Sequence, residues 1–298
     1  MQSTQVRAIG RVERQNAAKL SRRAALLGTA KAIAMYALLT AVAAIMVFPF
    51  LWMLSTAFKP RVECYIYPPT LIPTRWSLEN IRDVMARIPI WRYIANTAYL
   101  ATVGTLANIL VCTMAAYSFA RLRFPGRDQI FFLYLGTMMI PHAVTMIPSF
   151  VLMRYLGWMD TWRAIIIPGM GSAFGTFLMR QFFLSIPNEL EDAARIDGAG
   201  RARVFVQILI PLAVPALVTL TIFGFRSRWN EFLWPLLVLS TKEKFPIQVG
   251  LSAFRYEFGT LTHLMMTGAA MSVLPLMILF MAAQKYFVRG VVLSGIKG

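Results

Sequence analysis

The sequence predicts an all-α, polytopic membrane protein with about six transmembrane helices. Two observations support this prediction. Hydrophobic residues make up 58% of the 298 residues and charged residues only 14%, whereas a soluble domain usually has about 25% charged residues. The charged residues are also clustered, and they leave uncharged segments long enough to cross a bilayer, for which a helix needs about 20 apolar residues.

Six segments between charged residues are candidate spans. In chain order they lie within residues 31–59, 92–121, 128–154, 163–180, 203–226 and 257–285. The fourth is short unless it extends through Phe182 and Phe183. The first is interpreted as a retained membrane helix rather than a cleaved signal peptide, because its uncharged run is too long for a signal sequence and a basic arm precedes it.

The basic residues indicate the orientation. An even number of spans places both termini on one side of the membrane. Putting that side in the cytoplasm leaves 17 lysines and arginines inside and 11 outside, which agrees with the positive-inside rule. The net charge of +17 is assigned to contact with anionic lipid. Nucleic acid is not a predicted partner, because basic and aromatic residues do not alternate as they do in single-strand binders.

The predicted organisation is a basic cytoplasmic arm, residues 1–30, followed by one transmembrane domain, residues 31–298. This domain contains an outer loop at 59–92 and a cytoplasmic segment at 185–210. Within the outer loop, Ser77 is a suitable N-cap for a short amphipathic helix, because apolar residues follow it at helical spacing. These residues are Leu78, Ile81, Val84 and Met85.

The chain is not predicted to hold a metal or to be an enzyme. Cys64 lies in the outer loop and Cys112 in the second span, and no CxxC or Cys/His cluster is present. His142 and His263 are isolated and are interpreted as packed or boundary residues. The sequence also lacks the G-x-x-x-x-G-K-[ST] phosphate loop and a convergent set of nucleophile, base and acid.

The cytoplasmic segment from Pro187 reads PNELEDAARIDGAGRARVFVQILIP. Asn188 is predicted to cap a helix, and Glu191 completes a box-like arrangement with it. Negative charges in the first turn oppose the positive end of the helix dipole, and Gly198 and Gly200 end the helix. Such a short, capped helix can lie in a groove on another protein, although an ordinary interfacial linker is an alternative interpretation.

This segment resembles the signature of binding-protein-dependent ABC importer permeases. The signature is an E-A-A triplet, three residues, glycine, nine residues and then I-x-L-P. Asp192, Ala193 and Ala194 match the triplet and Gly198 the glycine, while ILIP at 208–211 ends the pattern. Aspartate replaces the usual glutamate at 192 and isoleucine the usual leucine at 210. The sequence Asp197, Gly198, Ala199 is similar to the sugar-importer branch.

Three other segments resemble the second permease of maltose-type carbohydrate importers. They are AAYSFARLRFPGR at 115–127, WNEFLWPLLV at 229–238 and QKYFVRGVVLSGIKG at 284–298. The resemblance extends from about residue 30 to the C-terminus and excludes the N-terminal arm.

The resemblance implies a type I ABC importer permease bundle in the bacterial plasma (inner) membrane. The implied function is the transmembrane permease subunit of an ATP-driven importer for a sugar, oligosaccharide or related solute. The implied partners are a second homologous permease, a cytoplasmic ATPase dimer that holds ATP and Mg, and an extracytoplasmic solute-binding protein; no cofactor is expected on this chain. The residues implied to couple to the ATPase are Glu191, Asp192, Ala193, Ala194, Asp197, Gly198 and Gly200.

Charged residues at the end of the fifth span are a candidate substrate path, because ionisable residues within a membrane are functional candidates by default. The residues are Arg226, Arg228, Trp229, Asn230 and Glu231. Similar permeases usually have uncharged residues where the two arginines stand. The arginines would favour an anionic saccharide through charge-assisted hydrogen bonds. They could instead reach the outer interface or pair with Glu231.

A secondary transporter is the main alternative function. Such a protein typically has inverted repeats and buried carboxylates that couple an ion. Here the first four predicted spans contain no internal acid, and Glu231, near a membrane face, is the one candidate. A membrane-embedded enzyme would need converging His, Asp or Cys groups, and a scaffold protein would not need the docking segment.

Overall fold

The computed structural model describes the backbone of residues 2–256 and 261–295, and side chains at 28–29, 31–255, 261–278 and 281. All regular secondary structure in this part of the chain is helical, which confirms the all-α prediction. The chain divides into two compact units, Met1–Ser55 and Thr56–Gly298. The first residues of the predicted sixth span and the last three residues of the tail lie outside the described residues.

Helix α1 runs from Gln2 to Ala57. Its segment Lys31–Ala57 is 27 residues long and apolar, and the side chains of its most apolar stretch are exposed in the single chain. A helix that is hydrophobic on all sides belongs in lipid or in a large core. The first predicted span is therefore confirmed, and the helical backbone also includes residues 2–30 of the predicted basic arm.

Helix α2, Glu79–Arg87, lies in the predicted outer loop. It begins two residues after Ser77, whose hydroxyl accepts a hydrogen bond from the N–H of Glu79 at 3.2 Å, so Ser77 is not the N-cap itself. Asn80 and Val84 are fully buried, whereas Leu78 and Met85 are exposed. The prediction that Leu78, Ile81, Val84 and Met85 form the apolar face is therefore only partly correct. The face with Asn80 and Val84 is buried because the Asn80 side-chain amide donates hydrogen bonds to the carbonyl groups of Thr56 and Lys59, both at 2.9 Å.

Helix α3, Ile90–Arg121, is the second predicted span and is continuous. Its middle and last turns pack against α7, Ala173–Ser185, and α11, Val214–Trp229. Small residues allow this close packing. A Cβ atom added at Gly175 of α7 would lie 3.0 Å from Cys112 Sγ and 3.0 Å from Leu220 Cδ1.

The third and fifth predicted spans are bent pairs of helices rather than single helices. In the third, α4 (Arg127–Gly136) and a 3₁₀ turn meet α5 (His142–Tyr155) at 99°. Pro141 causes this break, because the residue before a proline disfavours the helical conformation and proline has no N–H. Ile140 is extended, with a ψ of 115°.

The fifth predicted span bends by 76° between Arg201–Leu212 and α11. Its first part comprises α9 (Arg201–Val204), a π-helical turn (Phe205–Leu209) and α10 (Ile210–Leu212). Pro211 and Pro215 flank the bend.

The fourth predicted span is also interrupted. Helix α6 covers only Arg163–Ile166, residues 167–172 are irregular, and α7 begins at Ala173. The irregular stretch contains Pro168 and Gly169. Ser172 then caps α7, since its hydroxyl accepts from the N–H of Gly175 at 3.1 Å. Irregular backbone at membrane depth is tolerated only where protein or a cavity surrounds it.

The remaining helices complete the bundle. Helix α8 is Glu189–Ile196, α12 is Leu233–Val238, α13 is Ile247–Tyr256 and α14 is Thr262–Gly295. Residues of α2, the start of α3, α13 and α14 share one apolar cluster, which includes Val84, Ile90, Phe254 and Leu264.

Asp160 connects the segment after α5 to the segment after α12. Its carboxylate accepts hydrogen bonds from the N–H groups of Ser240 and Thr241, both at 2.9 Å, and forms an ion pair with Lys244 at 2.7 Å. Burial by itself would raise the pKa of Asp160, but the hydrogen bonds from Lys244, Thr241 and Ser240 outweigh this effect and hold the pKa well below the ordinary carboxyl range.

We expect Asp160→Ala to lower the melting temperature of the purified protein by about 3–12 °C. Charge-assisted bonds contribute about 1.5–3 kcal/mol, and 1 kcal/mol shifts melting by about 2–4 °C in proteins of about 150–250 residues. A lowered native pKa stabilises the fold above the unfolded-state pKa and loses that contribution as pH falls. The difference between native and Asp160→Asn should thus stay constant down to about pH 4 and then close. A difference that instead grew in acid would contradict this account.

Candidate functional site

The candidate docking element is helix α8 with the turn that follows it. Its first turn contains Glu189, Glu191 and Asp192, where negative charge complements the helix dipole. Gly198 ends the turn with a φ of +81°, a left-handed conformation that glycine adopts without steric cost. No hydrogen bond caps the helix through Asn188, so the predicted capping box is wrong. The side-chain oxygen of Asn188 instead accepts a hydrogen bond from the guanidinium of Arg121.

Arg121, the last residue of α3, holds this element in place. Its Nε lies 2.8 Å from Glu191 Oε1, and the two side chains are only 7% and 4% exposed. The two atoms form an ion pair, although the N–H is not aligned for a hydrogen bond. The Nη2 atom also donates to the carbonyl groups of Phe183 and Ile186, both at 2.6 Å. One buried guanidinium therefore joins the ends of α3 and α7 to α8.

The predicted coupling residues occupy two faces of α8. Glu191 points inward to Arg121, and Ala194 packs against the apolar cluster between α3, α7 and α11. The other predicted residues are exposed: Asp192, Ala193, Asp197, Gly198 and Gly200. Leu190 and Ile196 are also exposed, at 45% and 87%. With Ala193 they form an apolar ridge, because residues three apart share a helix face.

A second candidate site is a cavity of about 630 Å³ between α3, α5, the interrupted segment before α7, and α11. The charged side chains in its lining are Arg226, Arg228 and Glu231. His142, Asn108, Ser149 and Ser227 add polar groups, and Trp234 and Phe223 add aromatic surface. Leu220, Phe223, Gly224 and Ser227 lie three to four positions apart on one face of α11, and Arg226 and Arg228 flank this face at the last turn.

Arg228 is part of the cavity wall rather than a free cation. Its Nη2 donates to the carbonyl group of Gly169 at 2.6 Å, and its Nη1 donates to that of Gly224 at 3.2 Å. The side chain crosses α3 directly over Gly104, where an added Cβ atom would lie 2.7 Å from its Nε. Asn108 donates to the carbonyl group of Met170 at 3.0 Å. These two side chains supply partners for two carbonyl groups of the irregular segment in the fourth predicted span.

Arg226 has a different environment. Its side chain is exposed and lines the cavity, and none of the side-chain hydrogen bonds or ion pairs found among the described residues involves it. Glu231 lies half-buried in the same lining. Within the described part of the chain, neither arginine lies within the 4.0 Å ion-pair distance of Glu231, so the predicted pairing is not observed.

The structure separates the other two predicted path residues from the cavity lining. Trp229 is 3% exposed and stacks on Phe225, with ring centroids 5.5 Å apart. Asn230 donates to the backbone carbonyl of Arg226 at 2.9 Å. The sequence reasoning missed Gly104, Asn108 and His142, and it missed Arg121 at the docking helix. Contacts between residues about 60–125 positions apart define the roles of Gly104, Asn108 and Arg121, and local patterns carry no signal for such contacts.

The model of the family described as binding-protein-dependent transport system inner membrane component matches residues 108–293. The chain belongs to this family. The resemblance seen in the sequence is thus confirmed, and the alternatives of a secondary transporter and a membrane enzyme are set aside. The chain is a multi-pass membrane permease of the ABC importer class.

Relatives match the permease over nearly its whole length. The arabinooligosaccharides transport system permease protein AraQ of Halalkalibacterium halodurans is 34% identical over 260 residues, which cover 86% of this chain and 93% of AraQ. The sn-glycerol-3-phosphate transport system permease protein UgpE of Escherichia coli (strain UTI89 / UPEC) is 33% identical over 257 residues, covering 84% and 92%.

A solved structure shows the same fold. A chain of a bacterial ABC transporter involved in the import of the acidic polysaccharide alginate superposes with a TM-score of 0.77. It is 30% identical, and the match covers 86% of this permease and 95% of that chain. The expected type I importer permease bundle is therefore confirmed.

We expect Arg121→Ala or Glu191→Ala to destabilise the permease by about 3–5 kcal/mol, because each removes the buried partner that compensates the other charge. Arg195→Ala is the matched control. Arg195 also contacts Glu191, at 3.4 Å, but its side chain is 49% exposed, and exposed pairs contribute about 0–1 kcal/mol. Thermal unfolding in detergent measures both. Equal losses in all three variants would contradict the role assigned to the buried pair.

Gly104→Ala should also destabilise the permease, by about 1–3 kcal/mol, because the added methyl group overlaps the Arg228 side chain. Gly136→Ala is the control, since nothing lies within 4 Å of a Cβ atom there. If both alanines have the same small effect on unfolding, then Arg228 is not held over Gly104 as described.

Proposed function

We propose that this permease carries a sugar or oligosaccharide across the bacterial inner membrane, driven by ATP hydrolysis on a partner ATPase dimer. A second, homologous permease completes the pathway, and an extracytoplasmic solute-binding protein delivers the cargo. ATP and Mg bind the ATPase, and this chain itself has no cofactor. The names of the relatives support the cargo class, since they include a transporter of arabinooligosaccharides and one of alginate.

Helix α8 is the proposed coupling helix, and one observation carries this assignment. Its exposed ridge of Leu190, Ala193 and Ile196 has no covering partner within the described chain, while the opposite side is held by the buried Arg121–Glu191 pair. An apolar surface on a rigidly anchored helix fits a cleft on another protein. The exposed ridge thus provides a binding surface for an ATPase, and the Arg121–Glu191 pair connects that surface directly to α3.

Coupling requires that nucleotide binding changes the relative energy of two states of the permease. The proposed cycle brings the two coupling helices together when the ATPase dimer closes on ATP. Because Arg121, the last residue of α3, also contacts α7 and α8, a displacement of α8 moves the ends of both α3 and α7. Glu191 therefore acts as a positioning residue that transmits the movement, and the exposed residues make the contact with the ATPase.

The proposed orientation places both termini and α8 in the cytoplasm. The excess of lysine and arginine on that side supports it. The outer loop that contains α2 then faces the outside, where the solute-binding protein docks. The segments after α5 and α12 that Asp160 connects face the same side.

Co-purification tests the coupling assignment. Ala193→Arg places a long cation on the exposed ridge, and we expect it to remove the ATPase from the complex while the second permease is retained. Gln129→Arg is the control, since Gln129 is also exposed and lies in the first turn of α4, next to the other predicted cytoplasmic loop. An ATPase that stays bound to Ala193→Arg, with ATP-driven uptake unchanged, would refute α8 as the coupling helix.

A further inference from the structure

The cavity lining contains two arginines with different surroundings. Both belong to the last turn of α11. Arg228 is held by two backbone carbonyl groups and passes over Gly104, so its hydrogen-bonding capacity is used in building the wall. Arg226 lines the same cavity with its side chain exposed, and no acceptor is recorded for its guanidinium among the described contacts. Its planar fork of donors is available to a ligand.

The charge balance of the lining favours an anion. Two arginines face one glutamate, so the lining has one excess positive charge with histidine neutral. A cation at membrane depth without a counter-charge is unfavourable, and a carboxylate on the cargo would supply that charge. A guanidinium binds a carboxylate through two parallel hydrogen bonds, and this geometry selects an acidic sugar over a neutral one.

The rest of the lining fits a saccharide. Hydroxyl groups of Ser149 and Ser227 and the imidazole of His142 can exchange hydrogen bonds with sugar hydroxyl groups. The Trp234 side chain lines the cavity while its indole N–H donates to the carbonyl of Ala164 at 2.9 Å. The indole is thereby fixed and leaves its ring surface as apolar contact. The Glu231 carboxylate accepts from sugar hydroxyl groups and repels a second acidic group placed next to it.

We propose that the cargo is an anionic oligosaccharide, of the uronate class, and that Arg226 binds its carboxylate in this cavity while Arg228 shapes the wall. The proposal rests on the proposed importer function. It goes further by naming the charge of the cargo and the residue that recognises it.

The first experiment measures uptake in native host cells that lack this chain and are complemented with variants. The probes are radiolabelled trigalacturonate, its fully methyl-esterified form, which removes the charges and keeps the backbone, and neutral arabinotriose. We expect the complemented cells to take up trigalacturonate at least about tenfold faster than the ester, as expected for loss of one charge-assisted pair. Arg226→Gln should abolish that preference and Arg226→Lys should restore part of it. Arg163→Gln, an exposed arginine outside the lining, should leave it unchanged.

The second experiment tests the cavity without the solute-binding protein. Ser227→Cys adds a thiol to the lining beside Arg226, and its labelling by a maleimide is measured on the purified complex, with the native chain giving the background from Cys64 and Cys112. Trigalacturonate should slow this labelling and the methyl ester should not. In the Ser227→Cys, Arg226→Gln double variant the protection should disappear.

The outcomes separate the two proposals. If the cells take up arabinotriose or the ester but exclude trigalacturonate, the anionic-cargo proposal is overturned and the importer proposal stands. The same conclusion follows if Arg226→Gln reduces the uptake of all three probes equally. Loss of the second permease from Arg226→Gln complexes would show that Arg226 faces the partner subunit, which also overturns the binding role. Absence of uptake of any sugar, together with unprotected Ser227→Cys, refutes both the cargo class and the importer proposal.

Discussion

The structure depends on one constraint: in lipid, every backbone N–H and carbonyl group needs a partner within the protein. Residues 167–172 interrupt the fourth predicted span and leave carbonyl groups without helical partners. Arg228 from α11 and Asn108 from α3 donate to the carbonyl groups of this segment. Two neighbouring helices are thereby held to the irregular segment, and the space beside it becomes a cavity with polar walls.

Helix α3 links that cavity to the docking helix. Gly104 lies against Arg228 near the cavity, and Arg121 ends the same helix at α8. Their separation of 17 positions (121 − 104) corresponds to about 25 Å at ~1.5 Å per residue. A continuous helix of this length is a direct mechanical connection, and its tight packing on α7 through Gly175 and Cys112 resists independent movement of the two ends.

The buried Arg121–Glu191 pair has a cost that its geometry offsets. Two charges taken out of water lose several kcal/mol of hydration, and such a pair is retained where it specifies an arrangement. Here the guanidinium also donates to the carbonyl groups of Phe183 and Ile186 at the end of α7. The pair therefore sets the angle at which α8 leaves the bundle, which a purely apolar contact would define less strictly.

The sequence by itself determined the membrane class, because uncharged segments of spanning length leave no other solvent for so much apolar surface. It also determined the family and the position of α8, because the spacing from Asp192 to Pro211 is local. Pro141 and Pro168 in the sequence indicated possible breaks in the third and fourth predicted spans. Whether a proline kinks or splits a span depends on which groups then bond to the unpaired backbone N–H and carbonyl groups. The inward turn of Glu191, the failure of Asn188 to cap, and the different surroundings of Arg226 and Arg228 were decided only by tertiary structure, because each depends on a partner far away in the chain.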